Sequence, residues 1–546
     1  MRVFVAIGVV VLVSRALFAQ SSDPRPGFDT ADVHSSAHTT FPFMQGGVLR
    51  GDRYVVKNAT MVDLISTAYG VDSEKVVSGP SWLELDRFDI LAKAPSSTSP
   101  EAVKLMLQTL LADRFKLVVH NDTKPMQVFA LTVGKSGKPK LKQSDGTGDT
   151  GCNPQQQNAQ QGTIPQIYVT CKNVTMESFA QIIHQFAGGY LTSPVVDTTE
   201  LKGAWDFDIK WTARGQLVAA GADGISIFDA VDKQLGLKLD LQKNALPVLF
   251  VDSVNEKPTD NPAGVATALP KPPPAEFEVA VIKPSAPGEA PNGRIIPSGQ
   301  VDVQAITLKD LITIAWDLNP NDKEVLAGAP KWLDQDKFDI TAKASTTGQV
   351  GSDGLPIEIE DLQAMLRALL IERFKMTVHM EDRPVNAYTL VAVNPKIKKA
   401  DPLSRTSCKN GPGPDGKDPR IANPILSRLV SCQNITMAEF ADQLRFIAGG
   451  YIFSPVQDAT GLEGAYDFTL SFSPVGVFNG GGPAGRGRGG DGAAPAAADA
   501  GSPSDPSGAL SLFDAVSKQL GLKLEMRKRP MPVLVIDHVE EKPTDN

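Results

Sequence analysis

The sequence contains an internal repeat, and this feature limits the possible folds more than any other. FDILAKA at 88–94 returns as FDITAKA at 338–344, and RFKLVVH at 114–120 returns as RFKMTVH at 373–379. The longest match ends each copy: FDAVDKQLGLKLDLQKNALPVLFVDSVNEKPTDN closes the first and FDAVSKQLGLKLEMRKRPMPVLVIDHVEEKPTDN closes the second. Self-similarity over this length predicts two tandem domains of one fold.

The repeat also sets the domain boundaries. We place the first copy at 20–261 and the second at 276–546. The segment 262–275 between them is rich in proline, which predicts an extended, semi-rigid tether rather than a folded element. The second copy contains an insertion at about 475–508 that is rich in glycine, alanine and proline. Such a composition cannot bury a core, so we predict that the insertion is disordered.

The N-terminus has the pattern of a signal peptide. The apolar run VFVAIGVVVLV at 3–13 follows a single basic residue, Arg2, and is shorter than the roughly 20 residues that span a bilayer. We therefore predict a signal peptide at 1–19 with cleavage after Ala19; a short membrane anchor is the alternative. No later stretch is long and apolar enough to span a membrane. The mature protein is expected to be periplasmic or secreted.

The four cysteines fit an exported protein. Cys152 and Cys171 lie in the first copy and Cys408 and Cys432 at matching places in the second, and neither pair has C-x-x-C spacing. In an oxidising compartment two local disulfides are the natural prediction, Cys152–Cys171 and Cys408–Cys432. Four free buried thiols are the alternative.

Periodic patterns predict an α+β fold. Thr60 with Asp63 has the spacing of a helix capping box, and an apolar helical stripe follows it. Further helices are expected at 103–111 and 362–370. The capping pattern recurs at four other places: Thr307 with Asp310, Thr436 with Glu439, Ser226 with Asp229, and Ser511 with Asp514.

Short apolar or alternating runs lie between these helices, and each copy itself looks doubled. We therefore predict repeated small βαββ units with mixed, mostly antiparallel sheets. Prolines are tolerated where a strand begins. We expect four of them to open the second strand of a hairpin: Pro125, Pro247, Pro384 and Pro532.

These motifs together resemble a known family. GPSWL with DRFDILAKA, LLADRFKLVVH and DTTELKGAWDFDIKW are similar to motifs of an exported, soil-associated bacterial family that is known only as a domain of unknown function. The resemblance covers nearly the whole mature chain, twice. The second copy departs from it at Ala305 and at Trp316, which stands where the first copy has Tyr69.

The resemblance implies an exported bacterial protein, whose relatives include domains attached to membrane metallopeptidase sensors of the antibiotic-receptor type. It supplies neither an activity nor catalytic residues. More distantly, the βαββ units resemble the short N-terminal domains of secretins and TonB-dependent receptors, which is a likeness of fold only.

Signals of catalysis are weak. The sequence has no HExxH, GxSxG or phosphate-loop motif and no metal-spaced Cys/His cluster, so we assign no catalytic residue, metal or cofactor. Only His120 and His379 match between the copies among six histidines, and no nucleophile accompanies them. Recurrent carboxylates are the other candidates, and they are Asp89 with Asp339, Asp197 with Asp458, and Asp206 with Asp467.

Matching aromatic residues are the stronger hint of binding. Trp82 and Trp332 occupy equivalent loops, and Tyr190 and Tyr451 follow equivalent Gly-Gly pairs. Exposed rings would act as binding anchors, whereas buried rings would plug the core beneath loops. We expect burial, and we keep these four residues with His120 and His379 as binding candidates.

Three functions remain open at this point. The first is a non-catalytic binding or sensory module of the bacterial envelope, whose partner is a peptide, a glycan or an envelope protein. The second is an exported hydrolase that uses the recurrent carboxylates and His120 and His379. The third is an envelope assembly component similar to secretin domains. The 54 basic residues against 62 acidic ones give a net charge of −8, which argues against nucleic acid as a partner.

Overall fold

The structure is a computed structural model. It describes residues 25–37, 43–134, 137–155, 164, 166–272, 274–346, 355–413, 415–478 and 508–544. The predicted signal peptide lies outside the described residues, as does most of the glycine-rich insertion. We call the first copy domain 1 and the second copy domain 2.

Domain 1 alternates strands with a few helices. Its strands are β1 Thr30–Ser35, β2 Gln45–Arg50, β3 Arg53–Thr60, β4 Val76–Ser78, β5 Arg87–Lys93, β6 Val118–Val133, β7 Lys142–Gln143, β8 Gly151–Pro154, β9 Gln166–Val174, β10 Val195–Asp197, β11 Trp205–Thr212 and β12 Leu237–Ser253. Its helices are α1 Met61–Tyr69, α2 Pro100–Phe115, α3 Met176–Phe186, α4 Leu217–Ala220 and α5 Ile227–Ala230, which continues as a π-helical turn.

Domain 2 repeats this order after a one-turn helix, α6 Val265–Ala268. Its strands are β13 Val279–Pro284, β14 Asn292–Ile295, β15 Gln300–Thr307, β16 Leu326–Ala327, β17 Lys337–Lys343, β18 Thr377–Ala392, β19 Lys398–Lys399, β20 Ser407–Asn410, β21 Arg428–Thr436, β22 Gln457–Asp458, β23 Ala465–Phe472 and β24 Leu522–His538. Its helices are α7 Leu308–Ala315, α8 Ile359–Arg373, α9 Pro419–Ala422, α10 Met437–Ile447 and α11 Leu512–Ala515.

The described residues of each domain form three four-stranded sheets. In domain 1 the strand orders are β1-β5-β3-β2, β10-β6-β12-β4 and β7-β11-β9-β8. The first and third sheets have equivalent orders and each packs on its own helices, which accounts for the doubled sequence. Domain 2 has the same three sheets, β13-β17-β15-β14, β16-β24-β18-β22 and β19-β23-β21-β20. The prediction of a duplicated α+β fold with mainly antiparallel sheets is confirmed.

A long two-stranded ribbon joins the halves of each domain. In domain 1 it consists of β6 and β12, paired antiparallel from Val118 with Ser253 to Val133 with Leu237. One end contributes Leu249 to the first core, and the other end contributes Phe129 to the second. The ribbon is therefore the spine of the domain.

The predicted hairpins at the prolines are wrong. Pro125 and Pro247 lie within continuous strands, paired with Ala245 and Thr123, and Pro384 pairs with Pro530 in domain 2. In the described part of domain 1, the middle of the ribbon has no further strand beside it, because β4 and β10 pair only near the ends. A missing amide is tolerated where a strand has an unpaired edge.

Predicted caps begin the main helices. Thr60 accepts a hydrogen bond from the Asp63 amide, and the Asp63 carboxylate accepts one from the Thr60 amide. Thr436 and Glu439 form the same capping box at α10. Such caps satisfy amides that have no partner within the helix. Helices α2 and α8 extend beyond the predicted 103–111 and 362–370 by about one turn at each end.

In each of the four half-domains, a β-bulge precedes the helix that a threonine caps, which is α1, α3, α7 or α10. Its residue has a left-handed backbone conformation: Asn58 (φ 53°), Asn173 (φ 50°), Ala305 (φ 52°) or Asn434 (φ 48°). In each case its amide donates to an aspartate on the neighbouring strand, and the four acceptors are Asp89, Asp206, Asp339 and Asp467, at 2.9–3.0 Å. Asparagine tolerates this conformation better than most residues. The recurrent NxT and FD motifs therefore hold these bulges.

The KPTDN motif that ends each copy is held by a buried arginine. The Arg114 Nε donates to the Thr259 carbonyl oxygen at 3.1 Å, and its Nη2 donates to the Asn261 side chain at 2.7 Å. Asn261 in turn accepts a hydrogen bond from the Val33 amide in β1 at 3.0 Å. Arg373 holds Thr544 in domain 2 in the same way. The last residues of each repeat therefore lie beside its first strand.

The interdomain segment 262–275 is not simply an extended tether. Val265–Ala268 forms a helical turn, and the Val265 side chain is only 7% exposed. Burial of this one apolar side chain provides the contact that a polar, proline-rich segment would lack. The expectation of an unfolded tether is wrong for this part of the segment.

Both predicted disulfides are confirmed. Cys152 and Cys171 are bonded with their Cα atoms 4.0 Å apart, and Cys408 and Cys432 with theirs 4.1 Å apart. Each bond joins directly paired residues of neighbouring strands, β8 with β9 and β20 with β21. Within the described residues, no helix has the length and apolar character to cross a membrane.

Candidate functional site

The two domains contact each other through a charged interface. The start of α8 in domain 2 lies against the turn between β2 and β3 in domain 1. The Arg50 guanidinium binds the Glu358 carboxylate and donates to the Leu355 carbonyl oxygen, and Arg53 Nη1 lies 3.2 Å from Asp361 Oδ2. The Arg50 and Glu358 side chains are only 10% and 9% exposed, so this pair is largely removed from water.

A second contact lies around Glu84 of domain 1. The Glu84 carboxylate accepts hydrogen bonds from Arg405 at 3.2 Å and Lys409 at 3.1 Å. Arg405 also donates to the Val76 carbonyl oxygen at 2.8 Å, and the Thr406 amide donates to the Ser81 carbonyl oxygen at 3.0 Å. Main-chain contacts thus join the ion pairs and fix the relative position of the domains.

In the contact between the β2–β3 turn and α8, the basic side chains come from domain 1 and the acidic ones from domain 2. Strand register and the helix caps define the matching positions. On the basic side these are Arg50 with Ile296, Arg53 with Gln300, and Lys57 with Gln304. On the acidic side they are Glu358 with Ser99, and Asp361 with Ala102. Domain 1 therefore lacks these acidic side chains, and domain 2 lacks these basic ones, so that a further copy could not repeat the contact.

At Glu358, an ion pair across the interface takes the place of a helix cap. At the matching position in domain 1, Ser99 caps α2 and accepts a hydrogen bond from the Ala102 amide at 3.3 Å. Glu358 begins α8 without a side-chain cap, because its carboxylate binds Arg50 instead.

An open apolar groove lies in domain 2 at the face that matches the basic side of the interface. It has a volume of about 460 Å³ and lies between the edge strand β14 and the helices α7 and α8. Apolar side chains line its floor and walls, chiefly Ile295, Val301, Val303, Ile306, Ile314 and Leu366. Ile314 is 42% exposed there, which is unusual for an isoleucine beside a core.

Domain 1 fills the same place with its own side chains. Tyr54 stands where domain 2 has Val301, is fully buried, and stacks on Phe28 with ring centroids 5.2 Å apart. Met44 stands where domain 2 has Pro291, and its sulfur lies 3.8 Å from the Thr67 hydroxyl. The groove in domain 2 thus lies where domain 1 has one aromatic and one long apolar side chain in place of Val301 and Pro291.

The surroundings of the interface shift the pKa of several acids. Burial raises the pKa of Asp361 above its usual range, although Arg53 opposes the shift. Burial and the nearby carboxylates of Glu256 and Glu439 raise the pKa of Asp86. Asp86 lies in domain 1, Glu439 lies in domain 2, and both line a cavity of about 260 Å³ between the domains.

The aromatic candidates do not form a surface site. Tyr190 and Tyr451 are 5% and 8% exposed, and their hydroxyls donate to the Thr212 and Ser473 carbonyl oxygens. Burial raises the pKa of each to about 12. These rings plug the second core of each domain. Trp82 and Trp332 are partly buried against the first core of domain 1 and of domain 2, respectively.

The two histidines form a repeated pair with aspartate. His120 Nδ1 lies 2.8 Å from Asp252 Oδ2, and His379 Nδ1 lies 2.9 Å from Asp537 Oδ2. Both histidines are on the ribbon and about half exposed. They are the third residues of β6 and β18, and they pair with Phe250 of β12 and Val535 of β24.

The recurrent carboxylates have structural partners. Asp89 and Asp339 hold bulges, and Ser36 and Ser285 donate to them at 2.5 and 2.6 Å. Burial alone would raise the pKa of Asp89, but these hydrogen bonds and Lys57 hold it below its usual range. Asp197 and Asp458 accept hydrogen bonds from the amides of Thr199 and Thr460, two residues further on, which is the pattern of an Asx-turn.

Sequence reasoning missed the groove and the interface. The signal that could have found the groove is the difference between the copies at aligned positions, such as Tyr54 against Val301. In the described part of the chain, no group of three or more His, Cys, Asp or Glu side chains is placed to hold a metal ion.

Comparisons with known proteins agree with the duplication. The model of a family described as a protein of unknown function, DUF3738, matches residues 62–254 and again 309–539. A search of curated proteins found no match, and no solved structure matches the chain. Because the two matched segments cover more than half of the chain, this protein belongs to the DUF3738 family and carries its domain twice.

Proposed function

We propose that this protein is an exported, non-catalytic binding module of the bacterial envelope, and that domain 2 holds its binding site in the groove beside β14. The observation that carries the proposal is the open groove itself, because domain 1 closes the equivalent space with Tyr54 and Met44. Concave apolar sites with a few polar groups at the rim are typical of ligand-binding sites. Domain 1 then acts as the scaffold that holds domain 2.

Export is part of the proposal. The apolar run at 3–13 and the two disulfides support it. N-terminal sequencing of the protein from the periplasm and the culture medium of an expressing bacterium tests it. We expect mature protein that begins at Gln20. An uncleaved chain that stays with the membrane fraction would favour the membrane anchor instead.

The groove can be tested with an apolar dye. We expect 8-anilinonaphthalene-1-sulfonate to bind the mature chain, residues 20–546, at one principal site and to gain fluorescence there. Val301→Tyr copies the residue that closes domain 1 and should weaken binding at least tenfold. Tyr54→Val makes the reverse change in domain 1 and should create a second site. Dye binding that Val301→Tyr leaves unchanged would refute the groove as the site.

A hydrolase is the second candidate, and one observation favours it. The His–Asp pair recurs in both domains at 2.8 and 2.9 Å, and an aspartate on Nδ1 can orient an imidazole as a general base. The test is a screen of the purified chain on peptide, ester and glycoside substrates. Turnover that disappears in the double variant His120→Ala and His379→Ala would establish catalysis and overturn the non-catalytic proposal.

A further inference from the structure

We infer that the groove of domain 2 receives an extended apolar segment of a partner protein, which lies along the free edge of β14. The inference rests on the proposed function, because it names the class of partner for the same groove. Three sets of observations support it: the equivalent face of domain 1, the free edge of β14, and the chemistry of the groove.

The equivalent face of domain 1 already binds polypeptide. At β2 and its turn it holds the Leu355 carbonyl oxygen and the Glu358 carboxylate of domain 2. The Glu358 carboxylate lies so close to Gly46 that a Cβ added there would be 3.4 Å from its Oε2. The groove of domain 2 is also continuous with this interface, because Leu355 lines the groove while its carbonyl oxygen accepts from Arg50. Protein contact is thus the established use of this face.

The edge of β14 is open to a further strand. Among the described residues, β14 is the last strand of its sheet and pairs only with β15. A Cβ added at Gly293, the counterpart of Gly46, would meet no atom within 4 Å. A peptide backbone can therefore approach this strand closely. Addition of an extended peptide to an exposed sheet edge is a common mode of recognition, in which main-chain hydrogen bonds give affinity and pockets give specificity.

The chemistry of the groove selects an apolar rather than an acidic segment. Domain 1 binds carboxylates with Arg50 and Arg53, whereas domain 2 has Ile296 and Gln300 at these positions. The groove supplies apolar walls instead, and Arg294, which also lines it, is already paired with Asp302 at 3.2 Å. The matching partner is an extended segment with one or two large unbranched or aromatic side chains.

The chain itself provides a probe for this site. Residues 40–46, TFPFMQG, include Met44, whose side chain helps to close the equivalent space in domain 1. A fluorescein-labelled peptide of this sequence can be titrated with the mature chain by fluorescence anisotropy. We expect a Kd below about 100 μM, which is within the range of weak peptide recognition. The Met44→Ser peptide and a backbone N-methylated peptide should each bind at least tenfold more weakly.

Two groove variants test the location. Val301→Tyr should weaken peptide binding at least tenfold. If this variant fails to fold, as judged by circular dichroism, Gly293→Leu blocks the approach to β14 and should have the same effect. Its matched control is Gly215→Leu in domain 1, where an added Cβ also meets no atom within 4 Å, and binding should be unchanged.

The outcomes separate the inference from the proposed function. Peptide binding that requires Met44, free backbone amides and an open groove supports the inference. Dye binding without peptide binding at 1 mM, or binding of dodecanoate in place of the peptide, overturns the inference and leaves the groove as a small-molecule site. Peptide binding that both groove variants leave unchanged also overturns the inference. If neither dye nor peptide binds, both proposals are wrong.

Discussion

The matching faces of the two domains have the same arrangement of strands but carry different side chains. In domain 1, the face formed by β2, β3 and the adjoining helices is basic at its turn, is filled by Tyr54, and is bound to domain 2. In domain 2, the same face has neutral side chains at the turn and an open apolar groove. The strand order is the same in both domains, while side chains at the turn and in the core beneath this face differ. One face thus forms the internal joint, and the matching face of domain 2 has an open groove instead.

The largest effect should come from reversing a charge at that joint. Glu358→Lys places a cation beside the buried Arg50 guanidinium, and breaking a buried ion pair in this way costs about 3–5 kcal/mol. We expect denaturant unfolding of the mature chain to separate into two transitions, and hydrogen exchange to increase in β2 and β3. Adding Arg50→Glu should restore part of the loss. Ser99→Lys, at the matching helix start, should cost only about 1 kcal/mol through the lost cap.

Removing the Tyr54 ring, which closes the equivalent space in domain 1, should have the next largest effect on stability. Tyr54→Val leaves a cavity where a fully buried ring had been packed, and such a loss costs about 2–4 kcal/mol. Thermal unfolding measures it. Tyr54→Phe is the matched control, because the Tyr54 hydroxyl is buried without a partner among the described residues. Removing it should be neutral or slightly stabilising, and a large loss in this control would contradict the packing account.

A pH titration should distinguish the two domains. Burial and the carboxylates of Glu256 and Glu439 raise the pKa of Asp86, so the folded protein binds this proton more tightly than the unfolded chain does. The bound proton therefore stabilises the fold in acid. This contribution is lost as the pH rises through the pKa of Asp86 in the folded protein. Asp86→Asn should make the free energy of unfolding less dependent on pH in this range and should increase it at pH 7. Asp336→Asn, at the matching position of domain 2, is the control; an equal effect there would contradict the role of the interface.

The smallest effect is expected at the bulge before α7. Ala305 has a left-handed backbone conformation without the asparagine that the other three bulges carry. Ala305→Gly should stabilise the protein by about 1 kcal/mol because glycine adopts this conformation without a steric cost. Differential scanning calorimetry can detect the change. Ala305→Asn should act in the same direction, and destabilisation by both would show that packing at this position outweighs the backbone.

Much of the fold was predictable because it depends on local and repeated patterns. The caps at Thr60 and Thr436 use residues three positions apart, and the cysteine pairing follows from matching positions and compartment. The ribbon was not predictable, since prolines such as Pro125 normally end strands and only the missing neighbour strand permits them here. The groove depends on a side chain that is small in one copy and large in the other. The pattern of apolar residues is the same in both copies at such a position. Only a residue-by-residue comparison of the copies shows the difference in size.

The arginine clamp on the KPTDN motif also has an evolutionary consequence. Because Arg114 and Asn261 fasten the last residues of the repeat beside β1, the entrance and exit of each domain are neighbours in space. A unit of this kind can be spliced into a gene, or copied in tandem, without stretching or reorganising the host chain. The short segment between the copies is sufficient for this reason. Such a domain can therefore be inserted into another protein with little change to the fold of its host.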